Sequence, residues 1–171
     1  MSGHKPTARR TDRRIPHSPR NQHLKPIRSR QQMRQIDSIV IHCSDTPAGR
    51  NVSVADIRRW HLARGFADIG YHYVISLDGQ VLTGRPVECV GAHCRQQRMN
   101  HRSIGICYIG GKTADGKTYA DTRTPAQRQA LRSLVHRLRQ KYAIPESRVF
   151  GHRDFAPKAC PCFDVHKERW T

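Results

Sequence analysis

No apolar run in the 171 residues approaches the roughly 18–20 positions that a membrane span needs. The N-terminus carries the positive flank of a signal peptide but no apolar stretch after it, so Sec export is not expected. Pro6, Pro16, Pro19 and Pro26 would break the amphipathic helix that a transit peptide requires. Acidic residues are scarce, 13 against 31 Lys and Arg, for a net charge of +18. Aromatics make up 6% of the chain and none falls in residues 1–35, which removes the stacking platform of a single-strand nucleic-acid binder. Six cysteines are too few at this length for a disulfide scaffold; reduced thiols or metal ligands are the expectation. No internal repeat is visible.

The charge that is present is unevenly placed. Residues 1–35 hold ten Lys and Arg and one acid, so a fifth of the chain carries half of the net charge. Met1, Ile15, Leu24, Ile27 and Met33 are its only hydrophobic side chains larger than alanine, too few to offset the entropy of ordering it. A disordered arm is expected, acting either as a solubilising tail or as a tether to a polyanion.

From residue 36 to 171 the pattern is that of one α/β domain, a mixed central sheet flanked by helices. Ile39-Val40-Ile41 is β-branched and uninterrupted, as expected of a strand buried on both faces, and it runs into His42-Cys43-Ser44. Ser53 with Asp56 reads as a capped helix start, with Val54, Ile57 and His61 on one face and Gly65 at the end. Residues 71–75 read as a strand, Asp78-Gly79 as a hairpin turn into Val81-Leu82, and 104–109 as another strand stopped by Gly110-Gly111. Thr124, Pro125 and Gln127 start a second helix whose stripe is Leu131, Leu134, Val135, Leu138 and Tyr142. A short strand is expected at 148–150.

Two imidazoles and a thiol, His42 at the end of a buried strand and His152 with Cys160 further on, have the donor types zinc accepts, with a fourth position left for water. Spacing alone is weak evidence among eleven His and six Cys, and by itself it favours the plainer reading: a buried polar histidine and a small core thiol. Cys43, Cys107, His61 and Trp60 read as core, His101 as exposed.

Five ordered segments say more: 39–44 (IVIHCS), 57–61 (IRRWH), 68–75 (DIGYHYVI), 100–106 (NHRSIGI) and 157–161 (PKACP). With these the chain resembles the type 2 N-acetylmuramoyl-L-alanine amidases, which share the peptidoglycan-recognition-protein fold, and among them the zinc amidases of T-odd bacteriophages. The resemblance spans about residues 36–165. It implies one zinc ion per chain on His42, His152 and Cys160, catalytic roles for Tyr71 and Lys158, and a substrate cleft lined by His93 and Asn100. It implies hydrolysis of the amide between N-acetylmuramic acid and L-alanine, as a phage or prophage endolysin made without a signal peptide and acting on the cell wall after release. Peptidoglycan is then the partner. Residues 1–35 lie outside the resemblance, and anionic envelope polymers are the partner expected for them from their charge. No heptad pattern is present, so a monomer is expected, with no stable nucleic-acid role. The competing readings are a peptidoglycan-binding module without catalysis and a nucleic-acid-binding protein. Asp154 is the one weak option for a carboxylate base. Cys162 stands where relatives commonly have Gly or Ser, placed to compete for metal or to pair with Cys160.

Overall fold

The computed structural model describes residues 1–3 and 34–171, so the expected disorder of the basic arm falls on residues outside those described. The strand that opens the domain, β1 (Ser38–Cys43), is buried along its whole length because it is central and parallel to both neighbours. The other strands are β2 (Thr46–Pro47), β3 (Tyr73–Ile75), β4 (Val81–Thr83), β5 (Ser103–Tyr108), β6 (Gly111–Lys112) and β7 (Val149–Gly151). Five form a mixed sheet in the order β4-β3-β5-β1-β7, antiparallel only at β3–β4; β2 and β6 pair separately. The helices are α1 (Val54–Ala63), α2 (Met99–Arg102) and α3 (Pro125–Tyr142). No helix of the described residues is long and apolar enough to cross a membrane.

Period-two alternation assigns each sheet residue to a side. Ile39, Ile41, Ile75, Ile104, Ile106 and Tyr108 face α3 and meet Leu131, Leu134, Val135 and Leu138. Val40 turns the other way, toward Cys94 and Met99, and Val74 packs with Ile57 of α1 and Ile69. Full burial of each such aliphatic side chain is worth roughly 1.5–3 kcal/mol. His42 therefore lies on the face away from α3.

Both long helices start as expected. Ser53 and Asp56 form a reciprocal capping box on α1, and Thr124 and Gln127 do the same on α3, with Pro125 at its first turn. The hairpin expected at Asp78-Gly79 joins β3 to β4, with Gly79 at φ +85° where a side chain would be strained. Some boundaries differ. The strand at 71–75 narrows to Tyr73–Ile75, and the last strand shifts by one residue to end at Gly151. Gly110 ends β5 as expected, yet Gly111 at once begins β6; two-residue strands have no periodicity to read. The C-terminal residues Phe163, Val165 and Trp170 also join the core. Arg123, buried there, donates to Asp121 and to Glu168 and lies over the Phe163 ring.

A metal-ready histidine and cysteine cluster at the sheet's carboxyl edge

The register of two parallel strands assembles the first part of the site. Ile39, Val40 and Ile41 of β1 lie beside Val149, Phe150 and Gly151 of β7. One residue past the end of that ladder come His42, still within β1, and His152, which opens the turn after β7. Both stand at the carboxyl ends of neighbouring strands, where ligand sites of parallel sheets form. Their ring centroids are 4.7 Å apart. Cys160 is brought in by the loop after β7. The Arg153 N–H donates to the Cys160 carbonyl at 2.8 Å, the Tyr108 hydroxyl donates to the Pro161 carbonyl at 2.7 Å, and Pro161 packs so closely on Gly151 that a Cβ there would meet it at 2.7 Å.

The ligand atoms of His42, His152 and Cys160 all lie within 4.8 Å of one another. His42 Nδ1 is 3.8 Å from Cys160 Sγ, close to the roughly 3.5 Å that separates an imidazole nitrogen and a thiolate on one tetrahedral zinc. Donor types and spacing fit such an ion. Both imidazoles are neutral at neutral pH, as ligands must be. Burial, then the neighbouring His93, His152 and Lys158, holds His42 well below its ordinary value. His152 is lowered to about 4, by burial first and by Lys158 second. Contact with Cys43 and burial push the Cys160 thiol up. A bound cation reverses that balance and deprotonates a coordinating thiol, and the Cys43 N–H already donates to Cys160 Sγ at 3.3 Å.

The other expected residues fall at differing distances from this cluster. Tyr71 stacks its ring against His42, centroids 5.2 Å apart, and burial keeps its phenol protonated. Lys158 is exposed, but near enough that its charge lowers both His42 and His152. His93 is 7% exposed and its Nδ1 meets His42 Nε2 at 3.0 Å, so its polar contact is with a cluster histidine. Asn100 uses its side-chain oxygen to accept from the His93 and Cys94 N–H groups, at 2.8 and 2.7 Å. Asp154 accepts from the Gly151 N–H and pairs with His166, both outside the cluster. Cys162 turns to Cys43, with sulfurs 3.6 Å apart, and Cys94 is buried beside Gln96.

The sequence reading missed His72 and Arg34. His72 Nδ1 accepts from the Gly105 N–H at 2.9 Å, and its ring lies 5.6 Å from that of His93. Arg34, read as part of the arm, belongs with Met33–Thr171 and donates to the carbonyls of Val87, His101 and Ser103. No local pattern marks either.

Comparison with known proteins agrees with this geometry. The family described as "N-acetylmuramoyl-L-alanine amidase" matches residues 32–163. The chain belongs to this amidase family. Its relatives include the endolysin of Escherichia phage T7, 45% identical over 139 residues that cover 81% of this chain and 87% of the phage protein. A peptidoglycan-recognition protein, SC2 of Drosophila melanogaster, is 31% identical over 74% of this chain and 65% of its own length. Among solved structures, the amidase LysCS of Clostridium intestinale superposes with a TM-score of 0.62 at 31% identity, over 74% of this chain and 75% of that one. Drosophila PGRP-LB gives 0.61 at 30% identity, over the same shares. The mixed sheet flanked by helices is thus the fold of the amidases and peptidoglycan-recognition proteins. The chain is a peptidoglycan amidase of this family and is similar in sequence to phage endolysins.

Proposed function

We propose that His42, His152 and Cys160 hold one zinc ion, and that Tyr71 and Lys158 work beside it to hydrolyse the amide between N-acetylmuramic acid and L-alanine. The convergence of two neutral imidazoles and one cysteine at the carboxyl ends of β1 and β7 carries this reading. When bound, the ion supplies Lewis acidity at the scissile carbonyl and makes water acidic enough to attack at neutral pH. His42 and His152 offer nitrogen lone pairs without first losing a proton, and Cys160 offers the negative charge that offsets part of the ion's own. The Lys158 ammonium stabilises the oxygen as it gains charge in the tetrahedral stage, a contact worth on the order of 10²–10³ in rate. Tyr71, kept protonated by burial, orients water or carbonyl oxygen through its O–H.

The enzyme reaches the cell wall after release from the cytoplasm and works as a monomer, with residues 1–35 holding it to anionic envelope polymers. Digestion of purified peptidoglycan, with and without a chelator, tests the reading. New alanine amino termini without new reducing sugars, lost with chelator and restored by zinc, are expected. Zinc-loaded, reduced protein that binds peptidoglycan and leaves it intact would reduce the chain to a binding module.

A further inference from the structure

His93 is held more tightly than a residue free to meet substrate. A Cβ added at Gly105 would come within 2.5 Å of the His93 ring, and one at Gly91 equally close, so the imidazole occupies a slot that exists only because both residues are glycine. The Asn100 side chain fixes the backbone on either side of the His93–Cys94 peptide, and the Gly91 N–H donates to the Asn100 carbonyl. The ring's outward polar contact is Nδ1 to His42 Nε2 at 3.0 Å. Its Nε2 is buried and has no hydrogen-bond partner among the described residues.

Two tautomeric arrangements fit that short contact. If His42 Nε2–H donates, His42 Nδ1 is left bare on the Cys160 side, ready to bind a metal. If His93 Nδ1–H donates, the neutral His42 must carry its proton on Nδ1, which blocks that atom. A metal-ligating histidine commonly donates its other N–H to a fixed acceptor, which sets tautomer and ring orientation.

We infer that His93 is a positioning residue for the metal: it accepts the His42 Nε2–H and so reserves His42 Nδ1 for the ion. Resting on the zinc reading above, this assigns His93 to the far side of the metal ligand from the ion. The glycine slot then serves to place one nitrogen lone pair. The neighbouring His72 imidazole, anchored by the Gly105 N–H, closes the slot edge-on.

Zinc affinity, measured by competition with a chromogenic chelator, tests this without any activity assay. His93→Leu and His93→Phe should weaken zinc binding by about 10–100-fold, the usual range for lost outer partners of a metal ligand. His93→Asn, whose side-chain oxygen can stand near the lost Nδ1, should recover most of that loss. In parallel, ¹⁵N NMR of the histidine-labelled, metal-free wild type should find His42 protonated at Nε2 and bare at Nδ1. Wild-type zinc affinity in His93→Leu or His93→Phe, or a His42 proton on Nδ1, would overturn the inference. A wild type that binds no zinc would instead overturn the zinc reading on which it rests. The NMR outcome decides even if the substitutions prevent folding.

Discussion

The sulfurs of Cys43 and Cys162 face each other at 3.6 Å, and Cys162 Sγ also donates to the Gly111 carbonyl at 3.2 Å. Cys43 also contacts the Cys160 thiol, so with Cys160 committed to the ion Cys162 is the partner left for oxidation. Treatment with hydrogen peroxide should join Cys43 to Cys162, two thiols giving up two hydrogens as peroxide becomes water. Peptide mapping by mass spectrometry should find this link, with Cys160 unlinked and zinc retained. A Cys160–Cys162 link would contradict it, and Cys162→Ser should abolish the product.

Cys160→Ala should remove metal and activity together. Its thiol is the one anionic donor of the cluster, and the two neutral imidazoles that remain cannot offset the ion's charge. A loss of zinc affinity well beyond the roughly 100-fold of an outer partner is expected, read by zinc content after gel filtration. A fully active Cys160→Ala enzyme would exclude the residue from the site.

Lys158→Ala should keep the ion and lower turnover by about 10²–10³. Lys158 is exposed and contributes charge at the cluster, so its removal leaves the fold intact. Steady-state kinetics on a soluble muropeptide, with zinc content measured in the same sample, separates the two effects. Equal loss of zinc would make the lysine structural.

Arg34 marks where the domain begins energetically. Its guanidinium holds the carbonyls of Val87, His101 and Ser103 together, and hydrogen bonds from a charged group contribute about 1.5–3 kcal/mol. Deleting residues 1–33 should leave the urea midpoint and muropeptide hydrolysis unchanged. Arg34→Ala in the full chain should lower the midpoint; no change there would mean that the three contacts are replaced by water at no cost.

The metal-free protein should lose stability as pH falls from about 6.5 to about 4. Burial lowers His61 and His72 to about 4, while both titrate near 6.5 in the unfolded chain. Between those values the unfolded state binds protons that the folded state refuses, so stability rises with pH across the window and levels off below it. The contribution is on the order of 1–3 kcal/mol per histidine. Urea unfolding at pH 7 and pH 4.5 measures it, and His72→Gln should reduce the slope. A flat profile would mean that neither ring is kept neutral by its surroundings.

Much of the fold could be read from local pattern. The β-branched run 39–41, the two capping boxes and the stripe from Leu131 to Leu138 each report a face that must be buried, and each element formed where that face required. The cluster histidines and cysteine were recoverable through the ordered motifs. Their spacing did not suffice, since eleven histidines and six cysteines offer many equivalent pairs. Less could be read of the residues around them. Asn100 gives its side chain to two backbone N–H groups and His93 gives its ring to His42, contacts that no motif distinguishes from contacts with a ligand.

The sequence by itself determined the principal strands and the two long helices, which way their side chains face, and which donor types stand at the strand ends; the short β2, β6 and α2 carry no such pattern. The tertiary structure decided which atoms meet. Cys162 faces Cys43 although Cys160 is far nearer in the chain, and His93 reaches His42 from 51 residues away. Periodicity records the burial of a face, a property of single elements. The partner of a buried sulfur or ring nitrogen is set by the parallel register of β1 with β5 and β7, and by the loops packed across their ends.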